Sequence, residues 1–247
     1  MVDIVIPISV SGIWYPIDLE EPKKSGSIGL TLILEPFSYA RVTQGEGIYL
    51  NGKLVKISNQ EILQAKLGKL KVDLQSSVPL GYGYGMSASI SIAYALGASE
   101  LFSMNPDNAI SVAHESEVVS GNGLGDVVSQ YYGRNLVLRE SPGVPPYGRI
   151  TIFELESDQL YSKPIEAIPT RSILKPLKQA LELIDEFKKS PSLQNFISCS
   201  RRFTEAMGFK SPYPDSIRKK GLILKLGSPE SESWIRHKIA NQGAFVE

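Results

Sequence analysis

Three alternating glycines precede two serines in residues 81–89, and these residue types in this spacing could bind phosphate. Glycines at positions 81, 83 and 85 let the backbone approach a ligand without a Cβ in the way. Backbone N–H groups that lead into a helix N-terminus bind anions. Ser87 and Ser89 fall in the first helical turn, where a hydroxyl can cap the helix or contact a phosphate-bound metal ion. The segment therefore predicts a phosphate site, and a serine-capped turn without a ligand is the alternative.

Acidic residues flank a second glycine-rich turn further along the chain. Glu115 and Glu117 precede the turn at residues 121–125, and Asp126 follows it. Phosphoryl transfer needs a divalent metal, a carboxylate that holds it and a group that orients the attacking hydroxyl. These acids could supply both carboxylate roles. The alternatives are a solvated helix-end acid for Glu117 and a helix N-cap for Asp126, while His114 is favoured as a packed, hydrogen-bonded side chain.

Residues 79–88 resemble the phosphate-binding motif of the GHMP kinases, in the order Pro79-x-x-x-Gly83-x-Gly85-x-Ser87-Ala88. Within that superfamily the chain is similar to the archaeal pantoate kinase branch. The similarity lies in residues 83–87, 113–130, 139–148 and 26–29. It covers residues 1 to about 150 well, and the remainder only by size and by the order of elements.

The resemblance implies an α+β kinase of two domains, with the active site in the cleft between them. It implies ATP and Mg²⁺ as cofactors and phosphorylation of (R)-pantoate to (R)-4-phosphopantoate in coenzyme A biosynthesis. A kinase of the same type for another hydroxyl substrate, such as homoserine or mevalonate, stays open. A catalytically silent nucleotide-binding protein of this fold is the third interpretation. The grouping of Ser87, Glu117 and Asp126 argues against it, because a silent protein need not keep metal-binding and acidic groups together.

The same resemblance assigns the site residues. Asp126 would accept or orient the proton of the substrate hydroxyl. Ser87 and Glu117 would hold Mg²⁺, with Glu115 as a rival to Glu117. Replacing Gly85 by valine is expected to crowd the phosphates without unfolding the protein. The nucleotide-binding residues would be Pro79, Gly81, Gly83, Tyr84, Gly85, Met86, Ser87, Ala88 and Ser89.

The chain departs from the pantoate kinase branch at several points. Ile28 stands where the branch usually has an arginine, and Ala88 stands where its phosphate loop usually has a glycine. The C-terminal glycine-rich motif of the wider superfamily is absent. The substrate-binding candidates are Gly26, Ser27, Arg134 and Arg139. The two arginines are expected to replace the missing charge at the substrate carboxylate, and the alternative is that both are surface residues.

Composition and charge argue against several other classes of protein. Lysine plus arginine equals aspartate plus glutamate at 26 each, which argues against a nucleic-acid-binding protein. Basic pairs such as Lys219-Lys220 are interpreted as ordinary solvated positions. The single cysteine excludes an internal disulfide and a zinc site built on cysteine pairs.

The sequence also predicts the surroundings of the protein. An acid at position 3 argues against a signal peptide, and the longest uncharged stretch, residues 74–99, has too short a helical part to span a membrane. We expect a cytoplasmic protein with a small-molecule substrate and with neither nucleic acid nor membrane as a partner. A homodimer stays open.

The elements that must position these residues follow from periodicity and turn signals. Over residues 1–156, strands are predicted at residues 1–10, 29–34, 39–43, 48–50, 53–57, 71–74, 135–139 and 149–155, with Pro7 at an edge or bulge. Helices are predicted at residues 60–69, 90–102, 106–120 and 126–132. The uncharged helix at 90–102 is expected to be buried on all sides.

The texture of the sequence changes near residue 157. Beyond it, helices are predicted at residues 173–188, 192–207 and 228–241, and strands at residues 221–226 and 243–246. The interpretation is an N-terminal ATP-binding domain over residues 1–156 and a smaller α+β domain over residues 157–247.

Overall fold

In the computed structural model, which describes residues 1–156, 159–168 and 176–247, two long antiparallel strands frame the fold. Strand β1 (Val2–Ile17) pairs with β2 (Gly26–Gln44) from Val2 opposite Val42 to Ile17 opposite Gly26. The predicted strand at residues 1–10 is thus real but shorter than the observed one. The register shifts between Ile6 and Ile8, so the predicted bulge at Pro7 is confirmed.

The prediction of separate strands at residues 29–34 and 39–43 is wrong, because both runs belong to β2. Residues 35–37 lie opposite the bulge of β1, where the ladder skips positions. Pro36 therefore removes no ladder hydrogen bond, and the strand continues through it. The free edge of β2 is long enough to pair with three further strands in turn.

The remaining strands extend this sheet on both sides. They are β3 (Gly47–Leu50), β4 (Lys53–Val55), β5 (Leu70–Gln75), β6 (Leu136–Ser141), β7 (Arg149–Phe153), β8 (Leu160–Pro164), β9 (Ser216–Lys219), β10 (Leu222–Leu226), β11 (Ile235–Ile239) and β12 (Phe245–Val246). Within the described ranges all twelve strands form one sheet, along the path β4-β3-β5-β2-β11-β8-β10-β9. Strand β12 pairs with β1, and β6 pairs with β2 on one side and with β7 on the other. The α+β prediction is confirmed.

Four helices lie within residues 1–156: α1 (Gln60–Leu67), α2 (Met86–Phe102), α3 (Pro106–Ser120) and α4 (Asp126–Tyr132). Helix α2 begins four residues before its predicted start, directly after the glycine-rich loop. It is buried almost throughout its length, as its uncharged sequence predicts. The predicted start of α3 is confirmed, because Asn105 caps the helix by accepting from the N–H of Asn108 at 3.1 Å. The predicted ends at Gly121 and Gly133 are confirmed as well.

Two helices and five strands are described beyond residue 158, and one prediction there is wrong. The predicted helix at residues 228–241 is instead the strand β11, which fills the gap between β2 and β8. Helix α6 (Leu193–Ala206) confirms the prediction at 192–207, and α5 (Gln179–Lys189) confirms the later part of the one at 173–188. Residue Ile173 lies outside the described ranges. Strands β8 and β9 were not predicted.

No helix in the described part of the chain is long and apolar enough to cross a membrane.

Candidate active site

The glycine-rich loop and the start of α2 form one wall of a cavity of about 230 Å³. Six of the nine predicted nucleotide-binding residues line it: Gly81, Gly83, Gly85, Met86, Ser87 and Ala88. The first N–H groups of α2 have no partner inside the helix, and the helix dipole adds partial positive charge there. This end of the cavity therefore favours an anion.

The other three predicted residues do not line the cavity, and two of them bond to neighbouring elements of the fold. Tyr84 is buried, and its hydroxyl lies 2.7 Å from Ser162 Oγ on β8. Ser89 is also buried, and its hydroxyl donates to Gln130 Oε1 at 3.1 Å. Pro79 is half-buried and lies outside the cavity wall. The side chains of Tyr84 and Ser89 thus hold the loop in place instead of facing the cavity.

Gly85 is required by the turn itself. Its φ of +71° lies in the left-handed region, and a Cβ there would overlap Ser9 Oγ and approach Gln130 Nε2 to 2.5 Å. This geometry argues against the expectation that Gly85→Val would crowd the phosphates without disturbing the fold. A valine would strain the loop and push apart the side chains behind it.

Glu117 lies next to Ser87 in the wall of the cavity and is almost completely buried. Its Oε1 accepts four hydrogen bonds, from Ser87 Oγ (2.6 Å), Ser91 Oγ (2.9 Å), Asn59 Nδ2 (3.0 Å) and Asn122 Nδ2 (3.4 Å). Burial raises the pKa of Glu117 to about 7, although the hydrogen bonds from Ser87 and Ser91 act in the opposite direction. A bound cation would favour the ionised form of this carboxylate.

Glu115, the rival of Glu117, points away from the cavity. Its carboxylate pairs with Lys66 Nζ at 3.0 Å on the protein surface and accepts from Ser111 Oγ at 3.2 Å. Helix α3 makes this difference, because residues two apart on a helix face different sides. Only Glu117 of the pair lines the cavity with Ser87.

Asp126 is the first residue of α4 and faces the same space as Glu117. A Cβ at Gly123 would lie 3.3 Å from Glu117 Oε2 and 3.6 Å from Asp126 Oδ2. The other oxygen of Asp126, Oδ1, accepts from Ser9 Oγ at 3.1 Å and from Ser11 Oγ at 3.0 Å. The N-cap position of α4 is Gly125, so the alternative of Asp126 as a helix cap is wrong.

The charges around Asp126 keep it ionised. Burial alone would raise the pKa of Asp126, but the nearby charges of Lys219 and Arg139 and the hydrogen bond from Ser11 outweigh burial and hold the pKa below its ordinary value. A carboxylate in this state can accept a proton, and it attracts the cations that surround it.

Arg139 lies in a smaller cavity on the other side of Asp126. Its Nε and Nη2 donate to the backbone oxygen and Oγ of Ser27, each at 3.2 Å. Its Nη1 donates to Thr31 Oγ1 at 2.6 Å and to Ser129 Oγ at 2.7 Å. Burial lowers the pKa of Arg139 to about 10, and the charge of Asp126 offsets part of that effect.

The predicted substrate-binding residues are only partly brought together. Ser27 lines the smaller cavity with Arg139. Gly26 precedes Ser27 in the chain, and a Cβ at position 26 would come too close to the backbone oxygen of Leu124. His114 Nε2 donates to the backbone oxygen of Ser25 at 2.8 Å, which confirms it as a buried, hydrogen-bonded side chain. The structure does not bring Arg134 to either cavity, because its exposed guanidinium pairs with Glu154 at 2.8 Å.

Gly125 allows Arg139 to reach the smaller cavity. A Cβ at position 125 would overlap the guanidinium Nε of Arg139, so only glycine leaves room for it. The glycine-rich turn thus serves the packing of an arginine as well as the placement of Asp126.

Lys219 and Lys220 correct the sequence interpretation, because both are buried and neither is an ordinary solvated position. Lys219 ends strand β9 and Lys220 follows it, and both line the two cavities, as Asp126 does. The signal that could have found them is the mostly apolar run at residues 222–226 directly after Gly221, which is consistent with a strand that follows a tight turn. Burial lowers the pKa of Lys219, and it lowers that of Lys220 to about 8.

The donor set around Glu117 fits a magnesium ion held mainly by phosphates. A buried carboxylate, the hydroxyl of Ser87 and the amide of Asn122 lie together. Within the described ranges no group of three or more histidine, cysteine, aspartate and glutamate side chains could hold a metal alone. Mg²⁺ commonly binds through one or two carboxylates plus substrate phosphates and water.

Comparison with known families gives this site a class. Residues 53–134 match the family model described as the GHMP kinases N terminal domain. The solved structure titled "Phosphotransferase related to CoA biosynthesis pathway" superimposes with a TM-score of 0.82 at 23% sequence identity, over 100% of this chain and 99% of that one.

Two curated relatives give a narrower similarity. The pantoate kinase of Methanocaldococcus jannaschii is 31% identical over 202 residues, which is 75% of this chain and 73% of the relative. The pantoate kinase of Thermococcus kodakarensis is 30% identical over 225 residues, which is 82% of this chain and 75% of the relative. The chain therefore belongs to the GHMP kinase family, and it is a kinase.

Proposed function

We propose that the protein transfers the γ-phosphoryl group of ATP to the hydroxyl of (R)-pantoate, which yields (R)-4-phosphopantoate for coenzyme A synthesis. The observation that carries this proposal is the position of Asp126, which lines both the cavity of the glycine-rich loop and the smaller cavity of Arg139. A phosphoryl donor in the first cavity and a hydroxyl acceptor in the second would meet at this carboxylate. The pantoate kinase names of the relatives supply the acceptor.

The first cavity would bind the nucleotide. Backbone N–H groups of residues 81–85 and of the first turn of α2 would cradle the phosphates. Ser87 and Glu117 would hold Mg²⁺, which when bound neutralises phosphate charge as the phosphoryl group leaves. Because ionised Glu117 has only uncharged hydrogen-bond donors on Oε1, it favours a cation there.

The second cavity would bind the hydroxy acid. Three of the four N–H groups on Arg139 Nη1 and Nη2 bond to Ser27, Thr31 and Ser129, and the remaining N–H of Nη2 has no acceptor among the described residues. That group and the hydroxyl of Ser27 would bind the pantoate carboxylate. An arginine fixed by its neighbours loses little side-chain entropy when it binds an anion.

The transfer follows from these positions. The hydroxyl oxygen of the substrate attacks the γ-phosphorus, and the bond from that phosphorus to the β–γ bridging oxygen breaks, so that ADP leaves with the electron pair. The hydroxyl proton passes to the carboxylate of Asp126. General bases in such positions contribute roughly 10²–10⁴-fold to the rate.

Two parts of the chain would have different roles in this reaction. Residues 1–156 would form the nucleotide-binding domain and supply the metal-binding and basic carboxylates. The smaller part, residues 157–247, would close the site with the Lys219–Lys220 turn.

The direct test is an ADP-release assay of the purified protein with Mg-ATP against pantoate, homoserine, mevalonate and shikimate. We expect release above background with pantoate alone, and phosphorus NMR of the product should show a phosphate monoester. Turnover with one of the other three acceptors and none with pantoate would overturn the choice of substrate. If none of the four acceptors supports turnover at any magnesium concentration, the proposed function is overturned.

A further inference from the structure

The turn that joins β9 to β10 places two lysines between the two cavities. Leu222 pairs with Lys219, so Lys220 and Gly221 form a two-residue hairpin connection. Lys220 has a φ of +50°, a left-handed conformation that is unfavourable for a non-glycine residue. Strained residues of this kind persist only where the surrounding structure holds them, and they concentrate at functional sites.

Gly221 fixes the hairpin against the neighbouring backbone. Its carbonyl accepts from the N–H of Ile165 at 2.6 Å, and a Cβ at position 221 would overlap the carbonyl oxygen of Glu166. The turn is therefore locked to the end of β8 from one side, which keeps Lys220 in its strained conformation.

Lys219 joins the hairpin to the glycine-rich loop. Its Nζ donates to the backbone oxygen of Gly83 at 3.1 Å. A Cβ at Gly83 would lie 3.4 Å from the backbone oxygen of Lys219, so the loop and the turn are in direct contact. Lys219 is also the cation with the largest favourable effect on Asp126. Lys219 thus joins the hairpin to the loop, and its charge acts on the carboxylate of Asp126.

Lys220 is subject to the charges of both carboxylates of the site. The charges of Asp126 and of Glu117 both act on it, whereas Lys219 interacts with Asp126 and Arg139. Both lysines line the cavity of the phosphate loop and the cavity of Arg139. A phosphoryl group that passes from one cavity to the other would pass their ammonium groups.

Among the described residues that line the two cavities, cations outnumber carboxylates. Apart from the exposed Lys56, the described residues that line the two cavities include three cations and two carboxylates: Arg139, Lys219, Lys220, Glu117 and Asp126. Burying an excess cation costs free energy unless an opposite charge compensates it. A bound polyphosphate would supply that charge, and the developing charge of a transferring phosphoryl group would be met by a lysine already in place.

We propose that Lys220 is a catalytic residue that contacts the γ-phosphoryl group during its transfer, and that Lys219 is a positioning residue that holds the hairpin against the glycine-rich loop. This inference rests on the proposed kinase reaction at the same site. The lysines neither gain nor lose a proton in this transfer, so its electron and proton balance is unchanged.

The test for Lys220 uses Lys220→Asn, because asparagine tolerates the left-handed conformation and carries no charge. We expect kcat with pantoate to fall by about 10²–10³, the usual loss for one charge-stabilising group, with the KM for pantoate within about threefold of wild type. If Lys220→Asn melts early, Lys220→Gly keeps the same φ without strain and replaces it. Unchanged kcat in a folded variant of either kind would overturn the catalytic role.

A binding experiment separates this inference from the choice of acceptor. Affinities for Mg-ATP and Mg-ADP are measured by calorimetry without pantoate. In the wild type we expect tighter binding of Mg-ATP, and in Lys220→Asn we expect this difference to disappear. A difference that persists would overturn the contact with the γ-phosphoryl group, even if the wild type phosphorylates another acceptor.

Lys219 is expected to behave differently, because it acts through the loop. Lys219→Met should weaken Mg-ATP and Mg-ADP to the same extent and raise the KM for ATP more than it lowers kcat. The matched control is Lys210→Met, at an exposed lysine in the same part of the chain, which should leave both affinities unchanged. Unchanged nucleotide affinity in Lys219→Met would overturn the positioning role.

Discussion

The hydroxyl of Tyr84 lies 2.7 Å from the Oγ of Ser162, and this bond ties the glycine-rich loop to strand β8. The chain of bonds continues from Ser162 Oγ to His237 Nε2 at 2.6 Å and from His237 Nδ1 to the backbone oxygen of Glu35 at 2.8 Å. A carbonyl oxygen only accepts, so Nδ1 carries the proton and Nε2 of the neutral ring accepts. Ser162 therefore donates to His237, and Tyr84 donates to Ser162.

We expect Tyr84→Phe to loosen the loop without altering the groups that line the cavity. The variant loses one buried hydrogen bond, so the free energy of unfolding should fall by about 1 kcal/mol. The KM for ATP should rise severalfold while kcat changes less. Urea unfolding and steady-state kinetics measure both effects, with Tyr39→Phe at an exposed tyrosine as the control. An unchanged KM for ATP would mean that the loop holds its conformation without this bond.

The buried histidine at the end of this chain predicts a dependence of stability on pH. Burial lowers the pKa of His237 to about 4, from the ordinary value of 6.5. Between these values the unfolded chain binds a proton that the folded protein does not, so the free energy of unfolding falls as the pH is lowered. The pKa of His114 is lowered in the same direction.

Comparison with His237→Gln isolates that effect from other titrating groups. The variant loses the hydrogen bonds of the ring at every pH, but it does not lose further stability from protonation at position 237. The gap in the free energy of unfolding between wild type and variant should therefore narrow from pH 7 to pH 5, by up to about 2 kcal/mol. A gap that stays constant would show that His237 titrates alike in both states.

The parts of the site that are local in sequence could be predicted. The glycine-rich loop, Glu117 and Asp126 each lie in a short segment whose residue types and spacing define both turn and chemistry. The choice of Glu117 over Glu115 needed the orientation of α3 in the fold. The sequence shows that the two acids face different sides of the helix, but it does not show which side faces the cavity. The link from Arg139 to Ser27 needed the pairing of β6 with β2.

The lysine turn and strand β11 show where sequence reasoning stops. In the sequence, Lys219 and Lys220 resemble a solvated basic pair. In the structure, the pairing of β10 with β9 places them against Gly83. Strand β11 is only five residues long, and its conformation depends on β2 and β8 as partners from distant parts of the chain. Local propensity carries no information on such partners.

Glu117→Gln should stabilise the folded protein at alkaline pH. Burial raises the pKa of Glu117 from 4.5 to about 7, so its contribution to stability is full below pH 4.5 and is lost as the pH rises through 7. Glutamine never ionises, and the variant should exceed wild type at pH 8 by up to about 3 kcal/mol in free energy of unfolding. Its oxygen can still accept the hydrogen bonds from Ser87 and Ser91.

The same variant should lose the response to magnesium. In the wild type, Mg²⁺ with ADP should raise the melting temperature more at pH 8 than at pH 5.5, because protons compete with the metal for Glu117. Glu115→Gln is the matched control, since its exposed pair with Lys66 contributes about 0–1 kcal/mol. A lost magnesium response in Glu115→Gln and an intact one in Glu117→Gln would place the metal on the other face of α3.

Asp126→Asn separates the chemistry of this carboxylate from its structural effects. Asparagine can still accept from Ser9 and Ser11 through its oxygen, and no helix cap is lost because Gly125 holds that position. The pKa of Asp126 is held below its ordinary value by Lys219 and Arg139, so removal of its charge should lower the melting temperature.

The same loss of charge should leave Mg-ATP affinity equal or tighter, since one anion no longer faces the phosphates. Turnover should nevertheless fall by about 10²–10⁴, the range expected when a general base is removed. The control is Ser11→Ala, which removes one hydrogen bond to Oδ1 but keeps the base, and its turnover should fall less than about tenfold. Near-normal turnover of Asp126→Asn would mean that the carboxylate only positions the surrounding cations. The hydroxyl proton would then leave without a protein base, and the rate would depend on metal charge and alignment.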